Sequence, residues 1–360
     1  MAVAKHTAIF VFRGGLRMKI FRNLMPLIVA ATLLLQPMAV CAVQPGQTQT
    51  SDQNIVVVID PGHGGTNLGG QIPGLDEKNM TLVTALAMKE ELEKYEGITV
   101  YLTRYGDETL SLQERSQLAA AVNADFLFSL HYNKAVPPRL YGAEVWIPSL
   151  GDNYAKGYAV GDLVLNELCD QYGLYRRGIK TKINTRGTDY YGVIQHSVSL
   201  GIPAVIIEHC HIDNNNDLQY FNSIEKMQKF GQLDATGVAK YFRLKSKALG
   251  VDYSGQQIAA VGSPAVPVVQ DLTPPEKAEI QYLSGANGKV QIRINASDSQ
   301  SGIYYYDYST DGGVTFSDLL AWEHVGNTKT VWIPTGGKQI TVRVYNQYDL
   351  CTQSNILTVK

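Results

Sequence analysis

The sequence predicts an α/β domain, a twisted and mostly parallel sheet flanked by helices, followed by a small all-β sandwich. Continuous apolar runs of strand length occur at 55–60, 125–130 and 204–208, as in strands covered on both faces. Segments of helical period alternate with them, which is typical of parallel sheets with helices on both sides. After residue 275 the pattern changes to short alternating runs separated by glycine turns, which favours a sandwich of about 85 residues.

The predicted elements follow from these periods in chain order. Apolar residues spaced for one helix face, with Glu and Lys between them, predict a helix at 79–95. Ser111 and Glu114 have the spacing of a capping box, which opens a helix through residue 122. The remaining elements are strands at 98–103 and 142–147 and helices at 154–172 and 223–244 in the first part, and strands at 290–294, 304–308, 330–333, 340–345 and 355–359 in the second.

The N-terminus has the pattern of a secretory signal peptide over residues 1–42. Basic residues precede an apolar run at 24–35, which is short for a membrane span of about 20 residues. Small residues before position 43 predict cleavage after Ala42, and Met18 is an alternative start. A lipoprotein signal at Cys41 is the weaker alternative, because Val40 is bulky for the residue before a lipidated cysteine. Residues 43–54 then form a flexible leader, 55–245 the α/β domain, 246–275 a proline-rich linker and 276–360 the sandwich.

Composition excludes several classes of protein. The 360 residues include 31 Lys+Arg and 33 Asp+Glu, a net charge of −2, so a nucleic-acid partner is not expected. A hydrophobic content of 45% excludes wholesale disorder. Four cysteines are too few for a disulfide scaffold, and we expect no essential disulfide.

Polar side chains at strand ends predict a metal site. His63, His131 and Glu208 each follow or end a predicted apolar strand, and Glu77 precedes the first long helix. Ligands in open α/β sheets lie outside the carboxyl ends of strands, so these groups can converge. Two imidazoles and one carboxylate form a catalytic zinc site with an open position, and a second carboxylate can then carry the proton.

Each of these residues also has a structural interpretation. A strand-end histidine is often a satisfied structural residue, Asp60-Pro-Gly can be a turn, and Glu77 can be a surface charge at a helix N-terminus. Glu144 is an alternative proton acceptor, and His209 is expected to support the site rather than to bind metal. The candidates for lining a substrate groove are Asn133, Arg177, Tyr190 and Tyr191.

Residues 55–242 resemble the zinc-dependent N-acetylmuramoyl-L-alanine amidases of the amidase-3 type. The matching motifs are IVVVIDPGHGG around His63, the Glu77-Lys78 pair, SLHYN around His131 and GIPAVIIEHCHIDNNND around Glu208. The resemblance implies that His63, Glu77 and His131 bind Zn²⁺ and that Glu208 is catalytic. It also implies hydrolysis of the amide between the muramic acid lactyl group and L-Ala of peptidoglycan.

Two departures from the family pattern stand out. His-Cys-His follows Glu208, where the family more often has a run containing Gly or Ala and Phe. The connection from the strand at 142–147 to the next helix is short, so the self-inhibitory helix of some Gram-negative relatives is not expected.

The C-terminal part resembles immunoglobulin-like or fibronectin-like modules over 296–313, and the resemblance leaves three roles open: adhesion to the wall, spacing, or contact with a protein. Tyr304–Tyr306 could stack on sugars or belong to a strand core.

Together these observations predict a secreted or wall-located zinc amidase, an autolysin whose partner is peptidoglycan and which meets the membrane only during export. Two alternatives stay open. One is another zinc hydrolase of the wall, a peptidase or a deacetylase. The other is a non-catalytic wall-binding protein.

Overall fold

The computed structural model describes residues 9–11, 17–19, 54–137, 139–323, 326–334 and 338–359. The predicted signal peptide and leader therefore lie outside the described residues, except for a short antiparallel strand pair within 9–19 and for Asn54. Among the described residues, no helix has both the length and the apolar character needed to span a bilayer.

The helices are confined to the first part of the described chain. They are α1 (Glu77–Leu92), α2 (Leu112–Ala121), α3 (Gly151–Leu165), α4 (Gly192–Ser199), α5 (Asn215–Phe221) and α6 (Ile224–Tyr241), with a π-helical segment, Asn166–Gln171, after α3.

The strands fall into an N-terminal and a C-terminal group. The first group is β1 (Ile9–Val11), β2 (Arg17–Lys19), β3 (Ile55–Pro61), β4 (Gln71–Ile72), β5 (Leu75–Asp76), β6 (Ile98–Leu102), β7 (Phe126–Asn133), β8 (Ala143–Trp146), β9 (Arg176–Lys180), β10 (Ala204–His211), β11 (Lys245–Ser246) and β12 (Val251–Asp252). The second group is β13 (Lys277–Ala286), β14 (Lys289–Ser297), β15 (Ile303–Ser309), β16 (Leu320–Ala321), β17 (Thr328–Pro334), β18 (Gln339–Asn346), β19 (Cys351–Gln353) and β20 (Leu357–Thr358).

The central sheet has six strands in the order β6-β3-β7-β10-β8-β9 and is mixed. Four neighbouring pairs are parallel, and β10 and β8 pair antiparallel. The prediction of a mostly parallel sheet agrees with four of the five strand pairs, and the sequence did not indicate the reversal at β8. Only residues 134–142 join β7 to β8, which is shorter than the dozen or so residues that a parallel crossover needs.

Helices cover both faces of this sheet. The helices α1 and α6 pack together so closely that a Cβ atom at Gly231 would lie 2.3 Å from the carbonyl oxygen of Thr84. On the other face α2 meets α4, where Ser116 and Ser197 share a buried hydrogen bond of 2.9 Å. The strands between them are apolar on both sides, and Val57, Val58 and Phe128 are fully buried.

Several elements carry no strong sequence signal. The strand β9 has the sequence RRGIK, without an apolar run, and α4 and α5 are short. The long helix predicted at 154–172 begins earlier, at Gly151, and its last six residues are π-helical. The capping box of α2 is present, since Ser111 Oγ accepts from the Glu114 amide and Glu114 Oε2 accepts from the Ser111 amide.

The C-terminal β module, residues 277–359, consists of two antiparallel sheets. One contains β13, β14 and β17, and the other is built around β15 and β18. Buried side chains from both, among them Ile292, Trp322 and Val342, form one apolar cluster. The assignment of an immunoglobulin-like or fibronectin-like sandwich stays a prediction, as do the domain boundaries.

Candidate metal centre

Three of the predicted site residues meet at one end of the central sheet. His63 follows β3 with a left-handed backbone (φ 63°), Glu77 is the first residue of α1, and His131 lies in β7. Because β3 and β7 are parallel neighbours, their carboxyl ends lie at the same edge of the sheet. The antiparallel pair β4 and β5 leads into α1, and the Glu77 amide donates to the Gly70 carbonyl at 2.9 Å, which brings Glu77 back to the loop that carries His63.

The two imidazoles flank the Glu77 carboxylate. His63 Nε2 lies 3.0 Å from Glu77 Oε2, and His131 Nδ1 lies 3.0 Å from Glu77 Oε1. The two rings meet edge to face with their centroids 4.8 Å apart. One ligand atom from each residue lies within 4.8 Å of the others, so the three can hold one metal ion.

The surroundings shape these three side chains for ligation. Glu77 is 4% exposed, and its oxygens accept hydrogen bonds from the amides of Gly70 (2.6 Å) and Tyr132 (3.0 Å). Burial alone would lower the pKa of His63, but the hydrogen bond and the charge of Glu77 raise it above its usual value. Two imidazoles and one carboxylate are a donor set that suits zinc.

Glycine leaves the space for this arrangement. A Cβ atom at Gly62 would lie 2.3 Å from Cε1 of His131, so this position cannot carry a side chain while the ring stays in place. At Gly69 (φ +71°) a Cβ atom would lie 2.6 Å from both Glu77 Oε2 and His63 Cδ2. Gly62 and Gly69 are thus part of the site.

Two buried arginines brace the loop that carries His63. Arg115 donates to Asp60 Oδ1 (2.6 Å), to the carbonyl of Pro61 (2.8 Å) and to that of His63 (2.6 Å). Arg104 donates to the carbonyls of Pro61 and Gly62 at 2.9 Å each. Sequence reasoning missed both residues, although a buried role for Asp60 could have been suspected because it ends an apolar strand as Glu208 does.

Glu208 lies beside His131, in the row of paired residues that crosses β7, β10 and β8. It is paired with His131 of β7 on one side and with Glu144 of β8 on the other. Its Oε2 atom is buried and has no hydrogen-bond partner among the described residues. Burial, and then the negative charges of Glu77 and Glu144, raise the pKa of Glu208 well above its usual value.

The carboxylate of Glu144, the alternative proton acceptor, is already engaged in ion pairs and hydrogen bonds. Its Oε2 atom accepts from Arg177 Nε and Lys180 Nζ, both at 2.7 Å, and its Oε1 atom accepts from Asn133 Nδ2 at 3.0 Å. Arg177 is 2% exposed, so the prediction that it lines an open groove is wrong. Among the other candidates for the groove, Tyr190 is exposed.

The two histidines that follow Glu208 in the sequence, His209 and His211, are buried. His209 is fully buried; its Nδ1 atom lies 2.9 Å from the carbonyl oxygen of His131 and its Nε2 atom 2.7 Å from Asp234 Oδ2. Burial lowers the pKa of His211 to about 3, so this ring is neutral at physiological pH. Burial raises the pKa of the Cys210 thiol well above its usual value, which disfavours a nucleophilic role.

A cleft of about 460 Å³ opens next to the three-residue group. Its walls are residues 71–73, 134–136 and 212–215 together with Leu218. Gly70 lies between the cleft residue Ile212 and Glu77: a Cβ atom there would lie 3.0 Å from Ile212 and 3.3 Å from Glu77 Oε2.

The fold and the site define an α/β protein with a three-residue group able to hold a metal ion and, beside it, the half-buried Glu208 carboxylate. This is the arrangement of a metal-assisted hydrolase. The family model for Amidase_3, described as N-acetylmuramoyl-L-alanine amidase, matches residues 57–240, just over half of the 360 residues. The chain belongs to this family, and its activity is that of an N-acetylmuramoyl-L-alanine amidase.

Individual proteins show the same similarity. The chain is 32% identical over 196 residues to N-acetylmuramoyl-L-alanine amidase CwlM of Bacillus licheniformis, covering 54% of this chain and 71% of that protein. It is 31% identical over 193 residues to the sporulation-specific N-acetylmuramoyl-L-alanine amidase of Bacillus subtilis (strain 168), covering 53% of this chain and 69% of that protein. Among solved structures, Cwp6 from Clostridium difficile aligns with a TM-score of 0.49 and 32% identity, covering 53% of this chain and 30% of that one.

Proposed function

We propose that this chain is an exported, zinc-dependent amidase that hydrolyses the amide between the muramic acid lactyl group and L-Ala of peptidoglycan. His63, Glu77 and His131 hold the ion, and Glu208 carries the proton. The observation that carries the proposal is the convergence of these three ligand atoms within 4.8 Å, beside a carboxylate whose Oε2 atom is buried. The names of relatives, such as N-acetylmuramoyl-L-alanine amidase CwlM, support this assignment of the bond that is hydrolysed.

The residues around the site prepare the ligands. When bound, zinc polarises the scissile carbonyl and lowers the pKa of water at the site. Asn67 Oδ1, 3.0 Å from His63 Nδ1, can only accept, so it keeps the proton on Nδ1 and leaves Nε2 for the metal. The Tyr132 and Gly70 amides hold the Glu77 oxygens and fix the carboxylate's orientation.

Glu208 has the environment of a general base that later becomes a general acid. A carboxylate with an ordinary pKa is too weak a base at neutral pH, and a pKa near the working pH is best for both steps. Burial raises the pKa of Glu208 in that direction. Glu208 takes a proton from the attacking water and delivers it to the nitrogen of the leaving L-Ala amine.

The decisive experiment incubates the purified chain with peptidoglycan, with and without a zinc chelator, and identifies products by mass spectrometry. Free stem peptides that begin at L-Ala, lost with chelator and restored by zinc, are the expected result. New amino termini inside the stem would indicate a peptidase, and released acetate a deacetylase. Wall binding without products from the zinc-loaded protein would contradict the proposal.

Export is tested separately. The apolar run at 24–35 and the small residues before position 43 support cleavage after Ala42. Expression in a bacterial host with a Sec pathway should release a protein whose first residue is Val43, as read by mass spectrometry. A cell-associated product that retains residues 1–42 would refute export by this signal.

A further inference from the structure

The C-terminal β module covers the outer edge of the central sheet. Gln347 Nε2 donates to the carbonyls of Arg177 (3.2 Å) and Ile179 (3.0 Å) in the edge strand β9. A Cβ atom at Gly178 (φ +86°) would lie 2.5 Å from that Gln347 nitrogen. Backbone groups of an edge strand need such cover, and here the module supplies it.

A buried ion cluster crosses this contact. We define it as Glu144, Arg177 and Lys180 of the α/β domain together with Asp349 of the module. The Arg177 guanidinium lies 2.7 Å from Glu144 Oε2 through Nε and donates through Nη2 to both oxygens of Asp349, at 2.8 and 3.1 Å. Its Nη1 atom donates to Tyr305 Oη of the module at 3.1 Å. Two cationic and two anionic side chains balance, and the first three are each 2% exposed.

The cluster ends next to Glu208. Glu144 pairs directly with Glu208 across β8 and β10, so their side chains leave the same face of the sheet. The other Glu144 oxygen accepts from Asn133, two residues after His131, and from Trp146 Nε1 (3.1 Å). A shift of Arg177 would therefore move the Glu144 carboxylate, which neighbours Glu208, or change its charge.

The module also holds the loop between β7 and β8, residues 134–142. Arg139 of this loop is hydrogen-bonded to Asp307, which is fully buried in the module. Tyr305 donates its hydroxyl proton to the Tyr141 carbonyl. One side chain, Tyr305, thus touches both this loop and the ion cluster.

We propose that the C-terminal β module is a built-in part of the catalytic unit, whose Asp349 and Tyr305 are positioning residues. They hold Arg177, and Arg177 holds Glu144 in its ionised form beside Glu208. The inference rests on the proposed role of Glu208. It predicts that the module is needed for turnover of small soluble substrates, which a module serving only to bind the wall would not be.

The first test measures kcat and KM for Asp349→Asn, Asp349→Glu and the matched control Glu279→Gln. Glu279 lies on the exposed face of β13 and pairs only with Lys277 among the described residues. The substrates are a soluble muramoyl peptide and insoluble peptidoglycan.

Asp349→Asn should lower kcat by about tenfold or more on both substrates with KM nearly unchanged, because misplacement near the reacting groups affects turnover. Asp349→Glu should restore most of the activity, and Glu279→Gln should behave as the unmodified chain. An Asp349→Asn enzyme with normal kcat on the soluble substrate would overturn the proposal.

The second test does not depend on the role of Glu208. A protease recognition sequence inserted after Ala260, in the exposed linker stretch 259–260, allows the chain to be cut between domain and module. The two fragments should co-elute in gel filtration and retain activity together. Fragments that separate at low salt while the first stays fully active would refute the proposal. Failure of Glu208 as the base leaves this result unchanged, so the two hypotheses fail separately.

Discussion

The substitution Glu208→Gln should lower activity and raise stability at the same time. The side chain keeps its size but loses its charge and its ability to carry a proton. Loss of a general acid–base group costs roughly 10²–10⁴ in rate, and we expect kcat to fall in that range. Zinc content should stay at the level of the unmodified chain, since Glu208 is outside the proposed ligand set.

The stability gain follows from the burial of the carboxylate. The Oε2 atom has no partner among the described residues, and the charges of Glu77 and Glu144 add to the effect of burial on the Glu208 pKa. A glutamine there is still an unpaired polar group, so that cost stays; what the substitution removes is the cost of ionising the carboxyl group in the folded state. A group whose pKa is raised by folding lowers stability once the pH is above its unfolded-state pKa, at about 1.4 kcal/mol for each pH unit up to the folded-state pKa. In metal-free protein at neutral pH, we therefore expect Glu208→Gln to raise the free energy of unfolding by about 1–3 kcal/mol.

Urea unfolding followed by helical circular dichroism measures this gain in the α/β domain, because the described helices all lie between residues 77 and 241. Glu90→Gln, an exposed carboxylate on α1, is the matched control and should change stability by less than about 0.5 kcal/mol. Normal turnover by Glu208→Gln would refute its role as proton carrier. A loss of stability would refute the account of its burial.

Three further predictions concern the surroundings of the site. His63→Ala should leave the protein folded but without stoichiometric zinc, as measured by elemental analysis; retained zinc would contradict the ligand assignment. Burial lowers the folded-state pKa of His211 to about 3 from 6.5, so the unfolded chain binds more protons below pH 6.5 and stability decreases as the pH is lowered. His211→Phe should remove about 2 kcal/mol of the loss between pH 6.5 and about pH 5, seen in urea titrations at both values; an unchanged pH dependence would refute this. Arg115→Ala removes the ion-pair partner of the buried Asp60 carboxylate, which keeps only the hydroxyl donors Thr103 and Ser129, and should cost about 3–5 kcal/mol of unfolding free energy, whereas a cost below about 1 kcal/mol would show that Asp60 does not depend on the ion pair.

Much of the α/β domain could be predicted because its signals are local. The apolar runs of β3, β7 and β10 and the capping box of α2 depend on residues close together in the chain. The candidate ligands could be predicted from the sequence for the same reason, since His63 and His131 lie in motifs at the ends of buried strands. The edge strand β9 was missed because its neighbours in space, not its own residues, make it a strand.

The sequence by itself therefore determined the class of fold, the family and the four polar groups at the sheet edge, since period and motif are properties of short segments. Only the tertiary structure decided that β8 runs antiparallel and sets Glu144 opposite Glu208. It alone placed Asp349 on Arg177, across 172 positions of the chain. Such contacts depend on strand order and on the docking of two separately patterned regions, and neither has a signature in local periodicity.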